Sequence, residues 1–267
     1  MPTGKPAKNA PAPTTAKVFP LLPPTGPLRL SGKVAVITGA SRGIGYAVAK
    51  ALAIEGCDVV ISGREPANLT RAAAQLRKEV HSSAKILAVP CDVRAAQRVA
   101  GMFAVVKKRF GKIDVLVNNA GISQAPTSIE QTTHEMWRDM LDTNLTGMYL
   151  CTRAALPLMA RGSTIINNLS AAAKQIFPNF AAYTSAKMGA YGFTLSIRNE
   201  LIPRGIRVTA LMPGATSTDI WQTVMPNADR DVMIDVNQVA QAVLYAVLLP
   251  REANLSELLL TPTVGAL

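Results

Sequence analysis

The chain has only two histidines, His81 and His134, and three cysteines, Cys57, Cys91 and Cys151. The histidines stand far apart, and neither has a partner at metal-ligand spacing. A zinc-dependent mechanism is therefore not expected, and no metal is assigned. The cysteines form no CxxC pair and are odd in number, so neither a disulfide framework nor a zinc ribbon follows. They read as small buried hydrophobes in a reducing, cytoplasmic setting. No apolar run approaches the roughly 20 residues that span a bilayer. Acidic residues are missing altogether from residues 1–54, where Lys5, Lys8, Lys17, Arg29, Lys33, Arg42 and Lys50 stand. This segment carries part of a formal net charge of +11. No array of aromatic and basic residues accompanies that charge, and elsewhere acids and bases are interspersed. The excess reads as a solvated basic surface that attracts anionic cofactors, with no nucleic-acid partner.

Residues 1–29 are rich in Pro, Ala, Thr and Lys and show little hydrophobic periodicity. A disordered or loosely docked tail is expected there. It lacks the continuous apolar stretch of a secretory signal. An acid-free basic segment fits an organelle transit peptide weakly, but the single arginine and the many prolines favour a plain extension. The remainder, residues 30–267, reads as one domain.

From Gly32 onward two periodicities alternate. Short apolar runs occur at 34–38, 58–62, 86–90, 113–117, 163–169, 206–212 and 257–261. Alanine-rich segments with helical spacing lie near 44–56, 66–80, 94–110, 133–160, 181–202 and 237–249. Short apolar runs bounded by turn residues suit buried parallel strands. Their alternation with helices predicts an α/β fold, a single doubly wound parallel sheet of seven strands with helices on both faces.

The first strand leads into Thr38-Gly39-Ala40-Ser41-Arg42-Gly43-Ile44-Gly45 and then a helix. Such a turn brings backbone N–H groups and a helix N-terminus close to a pyrophosphate. Its spacing, TGxxxGxG, differs from the common GxGxxG. Taken alone, it also fits a plain tight turn. Far downstream, Tyr183 and Lys187 are four residues apart on an expected helix and so share a face. Ser170 precedes the tyrosine by thirteen residues, and Asn118-Asn119-Ala120-Gly121 and Asn144 lie between turn and tyrosine. A lysine ammonium beside a phenol stabilises the phenolate and lowers a pKa that is otherwise near 10.

In this order the residues resemble the short-chain dehydrogenase/reductase family over roughly residues 31–262. The resemblance implies a Rossmann-like sheet. It also implies an NADP(H)-dependent oxidoreductase that interconverts a ketone or aldehyde and an alcohol. Tyr183 would be the acid/base and Ser170 would polarise the carbonyl. Lys187 would touch both the phenol and the nicotinamide ribose, and Asn144 would hold a relay water. Gly39, Ser41, Arg42, Gly43, Ile44 and Gly45 would cradle the cofactor, with Asn118 steadying it. Asp92 would meet the adenine or, alternatively, cap the following helix. Pro213, Gly214, Thr216 and Thr218 would face the nicotinamide, although Thr216 stands where an aliphatic residue is more usual. NAD-preferring enzymes carry an acid at the end of the second strand. Here Gly63 takes that position and Arg64 follows. With Arg42, it offers guanidinium forks to a 2′-phosphate, so NADP is expected.

Ser123, Gln124, Ala125, Ile176, Phe177 and Trp221 are expected around the mouth of a substrate pocket, and residues 215–233 resemble a lid. The C-terminal sequence looks more like 3-hydroxy acid dehydrogenases and related carbonyl reductases than 3-oxoacyl carrier-protein reductases. A 3-oxoacyl-thioester reductase and a non-catalytic NADP-binding regulator are the alternatives. The helices expected near 133–160 and 181–202 are rich in Ala, Leu and Met, more apolar than one sheet face needs. With the resemblance, this implies a homo-dimer or homo-tetramer.

Overall fold

The computed structural model describes residues 26–80 and 82–264. Residues 1–25 of the expected tail, and His81, lie outside the described residues. All seven expected strands form: β1 (Val34–Ile37), β2 (Asp58–Gly63), β3 (Ile86–Pro90), β4 (Ile113–Asn118), β5 (Met159–Asn168), β6 (Arg207–Pro213) and β7 (Glu257–Leu260). They make one sheet in the order β3-β2-β1-β4-β5-β6-β7, with every neighbouring pair parallel. Parallel neighbours need crossovers, and helices supply them. These are α1 (Gly43–Ile54), α2 (Pro66–Glu79), α3 (Ala96–Phe110), α4 (His134–Leu141), α5 (Gly147–Ala155), α6 (Ala181–Leu201), the short α7 (Trp221–Val224) and α8 (Val236–Leu248).

Side chains alternate across each strand, so the buried runs feed two cores. Ala35, Ile37, Val59, Ile61, Val115 and Val117 pack with residues of α1, α2 and α8. Val36, Val60, Leu116 and Ile165 pack with residues of α3, α5 and α6 on the other face. The strand order reverses between β1 and β4, which opens a crevice at their C-terminal ends. Polar side chains lie under that crevice. Asn118 Nδ2 donates to Asn167 Oδ1 at 2.8 Å and to Thr152 Oγ1 at 2.9 Å. Asn167 Nδ2 donates to Thr194 Oγ1 at 2.9 Å. These groups are almost wholly buried.

Two expectations change. The helix expected over 133–160 is broken. Thr133 caps α4 by accepting from Met136 N, and a π-turn then spans Asp142–Thr146 before α5 begins. Pro157 sits in a 3-10 turn over Leu156–Leu158, and β5 starts at Met159, earlier than the apolar run suggested. The second change concerns Asp92. Its carboxylate accepts from Arg94 N at 3.0 Å in a tight turn, which delays α3 until Ala96, with Ala95 as its N-cap. Asp92 is therefore not the helix cap. The described end of the tail, expected to be disordered or loosely docked, lies against the domain. Arg29 Nε donates to Glu55 Oε2 at 2.8 Å, Leu30 N donates to Glu55 O at 2.9 Å, and the Leu28 side chain lies against Gly56.

Two glycines are set by close approach. Gly39 has φ 63°, and a Cβ there would lie 2.7 Å from Ala120 Cα. A Cβ on Gly45 would lie 2.7 Å from Gly39 O and nearer still to Asn119 Nδ2. By contrast, Gly101 lies on the exposed side of α3 with nothing within 4 Å. Chemical denaturation should therefore find Gly45→Ala less stable by about 1–3 kcal/mol, the usual cost of overpacking. The same substitution at Gly101 should stabilise by roughly 0.5–1 kcal/mol, because alanine loses less backbone freedom.

Candidate active site

The site is built at the C-terminal ends of β1, β4 and β5. Asn119 joins them. Its Nδ2 donates to Thr38 O at 2.9 Å and Gly39 O at 3.0 Å. Its Oδ1 accepts from Asn168 Nδ2 at 2.8 Å. The Thr38 hydroxyl accepts from the backbone N–H groups of Asn119 and Ala120, both at 3.0 Å. Asn168 in turn offers its carbonyl to Lys187 Nζ at 3.3 Å. A hydrogen-bonded path thus runs from the glycine turn to the lysine of α6.

Lys187 is 5% exposed. Among the described residues Asn168 O is its one acceptor and it forms no ion pair, so two of its three N–H directions remain for other acceptors. Burial without a carboxylate pushes its pKa down to about 8. Its Nζ is 5.6 Å from the centre of the Tyr183 ring. Tyr183 is half-buried and meets Phe180 edge-on, with ring centres 6.4 Å apart. Desolvation raises the phenol pKa, and the nearby Ser170 hydroxyl opposes the rise. The lowered phenol pKa expected from the neighbouring lysine is not seen. The reason is geometric: the ammonium is turned to Asn168 O, with its Nζ 5.6 Å from the centre of the Tyr183 ring. Ser170 stands two residues beyond β5 and accepts from Ala172 N at 3.1 Å, which fixes its side chain at the mouth of the short turn that follows.

Asn144 occupies the π-turn. Its Oδ1 accepts from Ile122 N at 3.2 Å, and its Nδ2 donates to Ile122 O at 3.1 Å and Met140 O at 3.0 Å. The π-turn leaves Met140 O without its usual helical partner, and the carboxamide fills that gap. Both ends of Asn144 are thereby committed to backbone. Gly121 separates Asn144 from Lys187. A Cβ on it would lie 2.8 Å from Asn144 Oδ1 and 3.6 Å from Lys187 Nζ.

The glycine turn is shaped for an anion. Gly43 opens α1 with φ 59°, no acid stands in the first turn, and Arg42 is extended just before it. Ser41 lies beside the end of β2, 3.6 Å from a Cβ placed on Gly63. Arg64 is exposed there. The surroundings are less free of carboxylates than the sequence implied. Asp219 comes within 3.8 Å of Arg42 across solvent, and Asp92 lies close enough to Arg64 to be lowered by it. Asp92 is held below the usual carboxylate range chiefly by Arg94, whose Nη2 reaches it at 2.8 Å. Arg94 also binds Asp139 at 2.9 Å.

Thr218 touches Gly43, with its Cγ2 at 3.4 Å from a Cβ placed there. Thr216 donates its hydroxyl to Gly214 O at 3.0 Å and is almost wholly buried. Gly214 N donates to Leu260 O at 2.7 Å, so the Pro213-Gly214 segment is pinned to β7. A parallel bridge of Thr216 to Ile234 closes the neck of the expected lid. Trp221 Nε1 donates to Thr216 O within it. Ile176 is 80% exposed and forms no wall. A cavity of about 330 Å³ lies beside the turn, lined by Gly43, Tyr46, Lys50, Glu79, Thr218 and Asp219. None of Ser170, Tyr183 or Lys187 lines it, so it is not the reaction cleft.

Sequence reasoning missed Thr38, Asn119, Asn168 and Phe180. Paired asparagines at the ends of two apolar strands, Asn118-Asn119 and Asn167-Asn168, were the available signal.

A family model described as short chain dehydrogenase matches residues 33–229. The chain belongs to the short chain dehydrogenase family. It is 39% identical over 197 residues to a 3-oxoacyl-[acyl-carrier-protein] reductase of Synechocystis sp., covering 73% of this chain and 78% of that protein. A crystal structure of a metagenomic short-chain oxidoreductase in complex with NADP superposes with a TM-score of 0.76. The two are 29% identical, over 89% of this chain and all of that one. A 3-ketoacyl-(acyl-carrier-protein) reductase from Brucella melitensis, complexed with NADH, gives 0.77 at 30% identity over 86% and 96% of the two chains. This family member is an oxidoreductase with the seven-stranded Rossmann-like sheet.

The depressed Lys187 pKa has a consequence for stability. The folded pKa, about 8, lies below the ordinary value near 10.4 of the unfolded chain. The unfolded state then binds more protons between these values, and stability rises with pH across that window. Below pH 8 the full cost of burying the ammonium is present. Lys187→Met should be more stable than the parent at pH 7.5, and this advantage should shrink by about 2–3 kcal/mol by pH 10. Urea denaturation of both proteins across the window measures it. A constant difference would refute it.

Proposed function

We propose that the protein is an NADP(H)-dependent reductase of a ketone or aldehyde, with the reverse alcohol oxidation through the same groups. The observation that carries this reading is the Ser170 hydroxyl near the Tyr183 phenol, beside a buried Lys187 that retains unused N–H donors. The residues present fit the cofactor. Lys187 can give its remaining N–H groups to ribose hydroxyls. The turn from Gly39 to Gly45 offers backbone donors to a pyrophosphate. Arg42 and Arg64 suit a 2′-phosphate, and no acid stands at Gly63 to oppose it. When bound, NADPH supplies the hydride.

Ser170 holds the substrate oxygen as the carbonyl π bond breaks and charge collects on it. Tyr183 transfers its phenolic proton to that oxygen. The phenolate left behind is stabilised by the Lys187 ammonium, which is still protonated at neutral pH. Lys187 then passes a proton to the phenolate, and a water beside Gly121, with Ile122 and the π-turn held by Asn144, returns one to Lys187. The segment behind the Thr216–Ile234 neck covers the cleft and excludes bulk water.

A second reading, reduction of a 3-oxoacyl thioester, is favoured by the 39%-identical relative. NADPH oxidation over β-keto esters, diketones, quinones and 3-oxoacyl thioesters separates the two. Tight NADPH binding with no turnover on any carbonyl would leave a binding protein instead.

Tyr183→Phe should keep NADPH affinity, measured by fluorescence titration, and lower kcat by about 100-fold or more, the usual worth of a positioned acid. Near-normal activity would remove the mechanism. Arg64→Asp should weaken NADPH binding by about tenfold or more, since a charge-assisted bond is lost and repulsion added. NADH binding should change little. Equal efficiency of NADH and NADPH in the parent protein would contradict the assignment.

A further inference from the structure

The end of the sheet opposite the reaction cleft carries three clustered arginines with no carboxylate partner. Arg161 and Gly162 lie near the start of β5, Arg204 and Gly205 just before β6, and Arg251 after α8. Gly162 N donates to Gly205 O at 2.8 Å, and both glycines have positive φ, 90° and 64°. Arginines pack over this backbone pair from both sides. A Cβ on Gly205 would lie 2.8 Å from Arg161 Cγ, and one on Gly162 would lie 3.1 Å from Arg251 Nε. Arg204 Nη2 donates to Leu156 O at 2.7 Å, and Arg161 Nη2 donates to Pro203 O at 3.4 Å. All three residues are exposed. Among the described residues none of them forms an ion pair. The acids nearest in sequence, Glu200 and Glu252, are exposed and form none either. Other carboxylates at this end are engaged elsewhere: Glu55 by Arg29, Asp114 by Lys33 and Lys112, and Asp58 by the Lys85 backbone N–H.

Guanidinium groups gathered around one backbone pair repel one another, and carbonyl acceptors offset only part of that cost. Their planar forks match phosphate oxygens. The charge also has an apolar neighbour. Ile202 is 65% exposed, and its carbonyl accepts from Gly205 N at 2.8 Å, so it stands on the turn that carries Arg204. Pro203 and Pro157 are exposed beside it. In a parallel sheet the crossover helices end where the strands begin. Lys107 and Lys108 in the last turn of α3, and Lys85 before β3, therefore extend the positive sign across the same end.

We propose that this end docks on an anionic phospholipid bilayer, with the arginines at the phosphates and Ile202 in the headgroup region. The isoleucine separates a bilayer from a nucleic acid. It gains by entering the interface between headgroups and acyl chains, and gains nothing against a sugar-phosphate backbone. The length of β5 lies between the patch and the cleft, so the docked protein keeps its cleft open to solution. Exposed Asp219, Asp229 and Asp231, in the segment that follows β6, stand at the far end. An anionic surface attracts one end of the molecule and repels the other, which fixes its orientation.

The test is sedimentation of the full-length protein with vesicles of phosphatidylcholine, alone or mixed with phosphatidylglycerol, at physiological ionic strength. The parent protein should pellet with the mixed vesicles only. Arg161→Gln/Arg251→Gln should lower partitioning by about tenfold or more, since each basic residue at an anionic surface contributes a factor of about five. Arg71→Gln/Arg98→Gln removes the same charge from exposed early turns of α2 and α3, toward the cleft end. That pair should change partitioning by less than about threefold, because its distance from the surface exceeds the screening length. Ile202→Gln should weaken partitioning by about threefold or more. Equal losses in the two arginine pairs would show attraction by net charge alone. Unchanged partitioning of Ile202→Gln would show that nothing enters the interface. Tighter binding of a DNA duplex through Arg161 and Arg251 would make the surface a nucleic-acid site. Release from vesicles by inorganic phosphate, at matched ionic strength, would make it a site for free phosphate. Each of these overturns the proposal, as does failure of the parent protein to pellet. The Arg251 side chain makes no hydrogen bond among the described residues. Arg251→Gln alone should therefore fold with an unchanged Tm and lose about fivefold, which keeps the test decisive if the double variant unfolds.

Discussion

Asn119 sits where the ends of β1, β4 and β5 converge, and the geometry of the site depends on its carboxamide. One side chain fixes the distance between the glycine turn and the strand whose last carbonyl holds Lys187. The approach is possible only because Gly39 and Gly45 present no Cβ to it. The glycines of the turn are thus set as much by the neighbouring strand as by any ligand. The glycine turn and Lys187 come from opposite sides of the strand-order reversal, and the amide bonds of a single residue keep them in register.

The polar groups around this junction differ in what they cost. Thr38 and Asn144 have their hydrogen bonds satisfied by backbone, and Asn119 by backbone and the Asn168 side chain, so they rigidify the site at little expense. Lys187 does not. The lysine is buried with one carbonyl for company. Native folds tolerate such a group where function requires an open valence, and stability is lower for it. The π-turn belongs to the first kind. It looks like an interruption of a helix, yet it places Asn144 to hold Ile122.

The sheet was legible because buried parallel strands are short apolar runs between turn residues, and all seven runs in this chain have that form. The glycine turn, Ser170, Tyr183 and Lys187 were legible as types at spacings, and the fold brings the last three together. Less visible were features set by tertiary geometry. Nothing in Asp142-Thr143-Asn144-Leu145-Thr146 signals a π-turn to a pattern with a period of 3.6, since the change of one residue per turn is smaller than the width of an apolar face. The orientation of Lys187 toward Asn168 depends on where the strand ends stop. The carboxylates of Asp219 and Asp92 near the arginines come from other segments of the chain. A search limited to the end of β2 could not find them.

The buried chain of amides and hydroxyls from Thr152 through Asn118 and Asn167 to Thr194 has a consequence for how the sheet finds its alignment. In a half-exposed sheet a slip of one residue turns apolar side chains to water, and that error is self-correcting. In the centre of this sheet both faces are covered, and a slip would exchange one apolar face for another at little hydrophobic penalty. Asn118 is paired with Asn167 across β4 and β5. Displacing one strand by a single step would strand two carboxamides among aliphatic side chains on opposite faces. Polar pairing, rather than hydrophobic alternation, is what discriminates the native alignment of the two central strands from its neighbours.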